Sequence, residues 1–266
     1  MTFMLKDKLQ TILYDIENKI ARVTFNRPEV HNAFNDIMIK ELSMVFDDIA
    51  RNPDIRVVVV TGKGKSFCAG ADLNWMRRVK DYSYEDNLKE SLELADMLYN
   101  IYASPKPTIA RVNGAAIGGG TGLVAVCDIA IAVTKAKFSF SEVKLGLIPA
   151  CISPYVIKKC GEGKCREFFL TGERLTANKA YNAGLINAVI EIEEIDKFID
   201  ELVSKLISSG PEAIKSCKEL LRKVSEMSIN EAKKYTAEVI AQLRISEEGQ
   251  EGMNAFLEKR RPKWNK

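Results

Sequence analysis

Two short segments of this sequence are suited to present main-chain N–H groups to a ligand. One is Ser66-Phe67-Cys68-Ala69-Gly70-Ala71-Asp72-Leu73, and the other is Asn113-Gly114-Ala115-Ala116-Ile117-Gly118-Gly119-Gly120. Small side chains let a ligand approach the backbone closely. A helix starting near Gly120 adds partial positive charge at its first turn. Two amides aimed at one point suit an oxygen that becomes negative during a reaction. The same residues also serve tight helix–strand packing with no ligand at all, and neither segment alone decides between the two.

Acid–base chemistry has few other places to go. His31 is the only histidine, which removes two-His and three-His metal sites and leaves at most one Ser-His-Asp or Cys-His arrangement. It lies in the polar turn Asn26-Arg27-Pro28-Glu29-Val30-His31-Asn32 and reads as a surface-loop residue. Proton transfer is therefore expected from carboxylates, Lys, Tyr or Cys. Gly64-Lys65-Ser66 after the strand Val57-Val58-Val59-Val60 suggests a phosphate loop, but that motif needs glycine where Val59 stands. Gly118-Gly119-Gly120-Thr121-Gly122-Leu123 would need glycine at Leu123 to bind a dinucleotide. Cys160 and Cys165 have no second ligand pair nearby, so no metal site is expected.

The elements that must carry these loops follow from patterning. Thr11–Tyr14 and Ile20–Phe25 read as strands flanking a turn at Glu17-Asn18-Lys19. Asn35 is expected to cap a helix with Ile37, Ile39, Leu42, Val45, Phe46 and Ile49 on its apolar face. The segment 54–60 is a buried strand, 85–102 a long helix, and Thr108–Val112, Ile129–Val133 and Lys137–Phe140 are further strands. Gly114 to Cys127 starts as a turn and continues as a small-residue helix. Helices are expected at Ile195–Ile207, Pro211–Val224, Asn230–Leu243 and Glu247–Glu258. Strands early and helices late argue an α/β core with a helical C-terminal region.

Bulk properties are ordinary for a globular chain. The 266 residues carry 39 Lys plus Arg against 36 Asp plus Glu, a net charge of +3, which gives no electrostatic case for nucleic acid as the main partner. The longest uncharged stretch, Val112 to Cys127, is 16 residues and glycine-rich, short of the roughly 20 apolar residues of a membrane span. The first residues carry charge where a signal peptide needs its apolar core. Six cysteines without a CxxC pair fit reduced thiols, hence a cytoplasmic location.

Taken together and in order, the motifs resemble the crotonase (enoyl-CoA hydratase/isomerase) superfamily. They are Asn26-Arg27-Pro28 with Asn32-Ala33-Phe34, the Ala69–Leu73 loop, Asn113-Gly114-Ala115 with Gly118-Gly119-Gly120, and Cys127-Asp128. Ser141-Glu142-Val143-Lys144-Leu145-Gly146-Leu147-Ile148-Pro149 and the tail Gly252–Arg260 complete the set. The resemblance implies an α/β spiral of ββα units over residues 1–195 and a helical region over 196–266 that builds homotrimers, or dimers of trimers. It implies an acyl-CoA thioester as ligand and no redox or metal cofactor. By position, the N–H groups of Ala71 and Gly119 would form the oxyanion hole. Val30, Ala33, Ala69, Ala71, Asp72 and Leu73 would contact coenzyme A, with Lys259 reaching the coenzyme A of a neighbouring subunit.

One departure matters. Typical hydratases of this family carry two glutamates around the attacking water; Glu142 matches one, and Gly122 stands where the other is expected. Glycine offers neither the charge nor the hydrogen bonds of a carboxylate. Three readings follow: a hydratase working through Glu142 alone, an isomerase with Glu142 as sole base, and a non-catalytic acyl-CoA binder. Asp72-Leu73-Asn74-Trp75-Met76, Gly120-Thr121-Gly122-Leu123, Ile148–Tyr155 and Arg244–Gly252 resemble bacterial methylglutaconyl-CoA hydratases and favour the first reading. The distal carboxylate of such a substrate needs a counter-charge or good solvation, with Arg77, Arg78 and Lys80 as candidates. Trp75, Met76, Met97, Tyr99 and Phe138 are candidates for the acyl-pocket wall.

Overall fold

The computed structural model describes residues 5–265; the sequence features at Met1–Met4 and Lys266 lie outside the described residues. Asn18 and Lys19, both with positive φ (51° and 68°), close a two-residue hairpin between β1 (Ile12–Glu17) and β2 (Ile20–Phe25). Positive φ at both central residues gives the twist that antiparallel strands need. That turn explains why β1 continues through Glu17, three residues past the expected Tyr14.

Helix α1 (Asp36–Arg51) starts where predicted, with the Asn35 side chain accepting from the Met38 N–H. Its buried face is Met38, Ile39, Leu42, Val45, Phe46 and Ile49. Ile37, expected on that face, is 37% exposed, because the true stripe steps 38, 42, 45, 49 around the helix.

From there strands alternate between two sheets. β3 (Val57–Gly62), β5 (Thr108–Val112) and β7 (Ile129–Val133) enter the larger sheet, whose order is β1-β2-β3-β5-β7-β10. β4 (Ser66–Cys68), β6 (Ala115–Ile117) and β8 (Lys137–Ser139) enter the smaller one, of order β4-β6-β8-β9. After β4 come α2 (Leu73–Val79) and α3 (Tyr84–Tyr102), after β6 comes α4 (Gly119–Val126), and after β8 comes α5 (Ser153–Thr171). The fold is thus an α/β spiral of ββα turns. β9 (Arg174–Thr176), α6 (Ala177–Asn182) and β10 (Ala188–Ile190) complete the sheets. All pairings except β1–β2 and β8–β9 are parallel.

β4, β6, β9 and β10, three residues each, escape sequence reading because so short a strand carries little alternation to detect; β8, equally short, falls within the expected Lys137–Phe140. β4 and β6 are nonetheless what brings the two glycine-rich loops side by side, since they pair directly. Four helices follow the sheets: α7 (Ile195–Ile207), α8 (Pro211–Val224), α9 (Ile229–Ile245) and α10 (Glu247–Leu257). α7 lays Ile195, Ile199 and Val203 into the same core as the strands.

Two glycines of the second loop meet the expectation of tight packing. A Cβ at Gly114 would overlap the Lys65 carbonyl, and one at Gly120 the Cys68 carbonyl, whose carbon would lie 2.9 Å away. Neither backbone neighbour can rotate aside. Gly120→Ala is therefore expected to lower stability by about 1–3 kcal/mol, the usual cost of overpacking a core. Urea denaturation followed by circular dichroism reads this out, and an unchanged midpoint would mean that α4 can slide off β4.

Candidate active site

The loop after β4 is held by the segment that precedes α1. Asn32 and His31 both adopt positive φ (58° and 54°). Asn32 is fully buried: its amide donates to the Lys63 and Ser66 carbonyls at 2.9 and 2.8 Å, and its oxygen accepts from the Arg27 N–H. Beyond it, the Ala69 N–H donates to the His31 carbonyl, Phe34 N–H to Gly70, and Asp72 N–H to Phe34. His31 itself is exposed, with Nδ1 3.1 Å from the Ser66 hydroxyl, as a surface-loop residue should be.

Asp72 then fixes the exit of the loop. Its carboxylate caps α2 by accepting from the Asn74 and Trp75 N–H groups. Its other oxygen pairs with Arg27 at 2.7 Å in a largely buried ion pair, and the same guanidinium donates to the Ala33 carbonyl. Burial alone would raise the Asp72 pKa. The Arg27 hydrogen bond and the two N–H groups outweigh it and hold the carboxyl below its ordinary range.

Within this scaffold the N–H groups of Gly70 and Ala71 are left without an acceptor among the described residues. Ala71, bridged to Phe34, donates its N–H to no group among the described residues, and neither does Gly119 at the start of α4. The first N–H groups of a helix have no partner within it. The two donors lie on neighbouring segments: a Cβ at Gly70 would be 2.8 Å from the Ile117 carbonyl and 4.0 Å from the Gly119 nitrogen.

Glu142 joins them from the 3-10 turn Ser141–Leu145 after β8. Gly146, at φ 73°, closes that turn. The carboxylate rests on Gly118 (φ 54°), where a Cβ would stand 3.0 Å from Oε1. Oε2 is buried with no hydrogen-bond partner, alone in this among the described side chains. Burial pushes the Glu142 pKa up, opposed only by a backbone N–H contact of its own turn. A half-desolvated carboxyl with a raised pKa is suited to take and return a proton near neutral pH.

Beside Ala71 opens a cavity of about 400 Å³, lined by Trp75, Met76, Leu94 and Leu147 with Lys80 and Glu90 at its polar part. Trp75 packs on Phe34, ring centroids 5.9 Å apart, and donates its indole N–H to Glu90 at 3.0 Å. Of the candidate wall residues only Trp75 and Met76 line it: Met97 and Phe138 are wholly buried core, and Tyr99 is half-exposed. Of the candidate cations, Arg78 pairs with Asp36 and Arg77 bonds Asn74. Lys80 makes no ion pair among the described residues. A larger cavity of about 1120 Å³ among α8, α9 and α10 touches neither free amide nor Glu142.

The remaining sequence candidates are spread more widely. Val30 is half-buried and Ala33 buried beside the loop; Leu73 is 71% exposed at the start of α2. Lys259 stands exposed just past α10 with φ 53°, and its side chain makes no bond with the 69–73 loop. Asn32, Arg27 and Glu90 were not singled out as site residues from sequence. Asn32 and Arg27 lie in a quoted motif, but nothing in their spacing tells that they bind groups 31 to 45 residues further along the chain. No group of three or more His, Cys, Asp or Glu side chains among the described residues could hold a metal ion.

A family model described as enoyl-CoA hydratase/isomerase matches residues 15–266. The short-chain-enoyl-CoA hydratase of Clostridium acetobutylicum is 32% identical over 256 residues, covering 96% of this chain and 97% of that protein. Among solved structures, an enoyl-CoA hydratase from Shewanella pealeana superposes with a TM-score of 0.96 at 40% identity, over 99% of both chains. An enoyl-CoA hydratase/isomerase from Marinobacter aquaeolei gives 0.92 at 34% identity, over 96% of this chain and 99% of that one.

The Arg27–Asp72 pair makes the loop acid-sensitive in a definite direction. The folded-state pKa of Asp72 is depressed, so its contribution is present above the ordinary carboxylate range and lost as pH falls through the folded value. Asp72→Asn is expected to cost about 3 kcal/mol at pH 7, the usual cost of stranding a buried charge. The gap to the wild type should narrow in acid. Denaturation at pH 7 and pH 3 measures both, and a gap independent of pH would remove Asp72 from the account.

Proposed function

Because the chain belongs to the enoyl-CoA hydratase/isomerase family, we propose that it is a hydro-lyase adding water across the double bond of an α,β-unsaturated acyl-CoA, with 3-methylglutaconyl-CoA of leucine degradation as its substrate. One juxtaposition carries this reading. Two main-chain N–H groups without partners among the described residues, Ala71 and Gly119, neighbour the half-buried Glu142, whose buried Oε2 has none there either.

The thioester oxygen accepts from both N–H groups. Glu142 takes a proton from water as the water oxygen bonds to the β carbon, and the C=C electrons pass onto the thioester oxygen as an enolate. The two N–H groups hold that charge, each worth about 10²–10³ in rate in comparable sites. The α carbon then takes a proton back from the Glu142 carboxyl, so one water is added and Glu142 is restored. Coenzyme A runs over Val30, Ala33 and the main chain at Ala69, Ala71, Asp72 and Leu73, with Lys259 supplied by a neighbouring subunit.

The branched glutaconyl substrate is favoured by the sequence motifs at Asp72–Met76, Gly120–Leu123 and Ile148–Tyr155. Lys80, the one cation lining the cavity beside Ala71, offers the charge a distal carboxylate requires, with Glu90 of the same lining occupied by the Trp75 indole. Trimers, or pairs of trimers, suit the apolar side chains that the helical region presents to solvent, among them Leu221, Ile229, Ile245, Phe256 and Leu257. Six free thiols suit the cytoplasm. Enoyl-CoA isomerisation is a second reading, favoured by one observation: residue 122 is a glycine closed off by Ile152, which leaves a single carboxylate.

Purified protein incubated with 3-methylglutaconyl-CoA and crotonyl-CoA separates these. A gain of one water by mass on the branched substrate is the expected result, and preferential hydration of crotonyl-CoA would overturn the substrate. Unchanged mass with a moved double bond would replace hydration by isomerisation. Glu142→Gln is expected to lower kcat/KM by about 10²–10⁴-fold, the range for a lost proton-transfer group. Unaltered turnover in that variant would remove Glu142 from the mechanism.

A further inference from the structure

Gly118 and Gly122 lie one helical turn apart on the same side of α4, with the Gly122 N–H donating to the Gly118 carbonyl at 3.2 Å. Each supports a side chain from the segment that follows β8. Glu142 rests on Gly118. Ile152, in the turn that starts α5, rests on Gly122: a Cβ there would overlap Ile152 Cγ2 and stand 2.8 Å from its Cβ. Ile152 is only 3% exposed, and its position is fixed on both sides. The Ser153 N–H donates to the Pro149 carbonyl, and the Val156 N–H to that of Ile152. The main chain that carries Ile152 is thereby held in place.

We propose that Ile152 is the positioning residue for Glu142: it fills the volume that a side chain at residue 122 would need and keeps water off that flank of the carboxyl, so that proton transfer rests on a single, desolvated carboxylate. This inference rests on the reading of Glu142 as the proton carrier. It accounts for two observations with one contact. Glu142 Oε2 lacks a partner among the described residues although buried; in the first turn of α4 the Thr121 hydroxyl is committed to the Ala116 and Ser139 carbonyls, and Gly122 is backed by the Ile152 hydrocarbon.

No charge nearby competes with that effect. α4 carries no ionisable residue. Lys144, on the same turn as Glu142, leans over Gly172 with Cε 3.2 Å from where a Cβ would be, and Lys137 on β8 is exposed. On the α5 side, the Cys151 thiol contacts the Ser91 carbonyl, Tyr155 packs on Tyr102 and Lys158 pairs with Glu226. Glu90, across the acyl cavity, is bound by Trp75. Burial is the first cause of the raised Glu142 pKa, and none of these charged side chains opposes it.

The test titrates the substrate-free protein carrying ¹³C-labelled glutamate carboxyls. The Glu142 resonance is assigned as the one lost in Glu142→Gln. In the wild type its midpoint is expected above the ordinary glutamate range. Ile152→Ala, which admits water, should lower it by about one pH unit, and Ile152→Val should keep it. The acid limb of kcat/KM on the hydrated substrate should move down by the same interval in Ile152→Ala, since the carboxylate form is the active one. An Ile152→Ala protein that still melts cooperatively but keeps the wild-type midpoint overturns the proposal. If that variant fails to fold, Ile152→Thr, of near-valine shape, takes its place and must lower the midpoint relative to Ile152→Val. Full turnover in Glu142→Gln would instead remove the functional reading, while the resonance midpoints would still decide the role of Ile152.

Discussion

Two main-chain N–H groups, at Ala71 and Gly119, are kept without partners, and much of the structure is organised to keep them so. Both residues are half-buried, so these donors, unmet by the protein, are left for water or a ligand. Around Ala71 the neighbours are committed elsewhere: Ala69 to His31, Asp72 to Phe34, and the Gly70 carbonyl to the Phe34 N–H. The buried Asn32 and the Arg27–Asp72 pair lock those commitments. Around Gly119 the start of a helix does the same work, with Gly118 bound to Ser139 and Thr121 to Gly118.

The two donors need a rigid relation as well as freedom, and parallel pairing of β4 with β6 supplies it. The pair is short, yet each strand continues a turn of the spiral whose other strand is buried in the larger sheet, so neither loop can move without shifting β3 or β5. Glycine at 114 and 120 permits the backbones to meet at that depth. The glycine-rich loop thus combines both roles open to it from sequence: Gly114 and Gly120 pack, while Gly118 and Gly119 face the carboxylate and the Phe34 ring.

Electrostatics at the site are set by what is absent from the surroundings of Glu142. A carboxyl in apolar surroundings with no cation at hand favours its neutral form. Asp72, only a short distance along the first loop, is held in the charged form by a guanidinium and a helix N-terminus. The two acids sit near the same amides with opposite tendencies, so one serves architecture and the other is left for proton transfer in the proposed reaction.

Elements with long periodic patterns, and the identity of the loops, are readable from the residues alone. The Asn35 cap, the long α3 helix and the ordered motifs from Asn26 to Arg260 were all legible, because capping chemistry and hydrophobic spacing are local. Which residues meet is a matter of long-range packing, and the fold settled it. It separated Met97 and Phe138, which are core, from Trp75 and Met76, which line the cavity, although all four are large and apolar. It left Lys80 rather than Arg78 without an ion pair among the described residues, since Asp36, 42 positions earlier in the chain, takes Arg78. It also set Ile152 against Gly122, 30 residues apart in the sequence. No spacing rule links those two positions, because their contact is made by the packing of α5 on α4, a consequence of how the spiral closes.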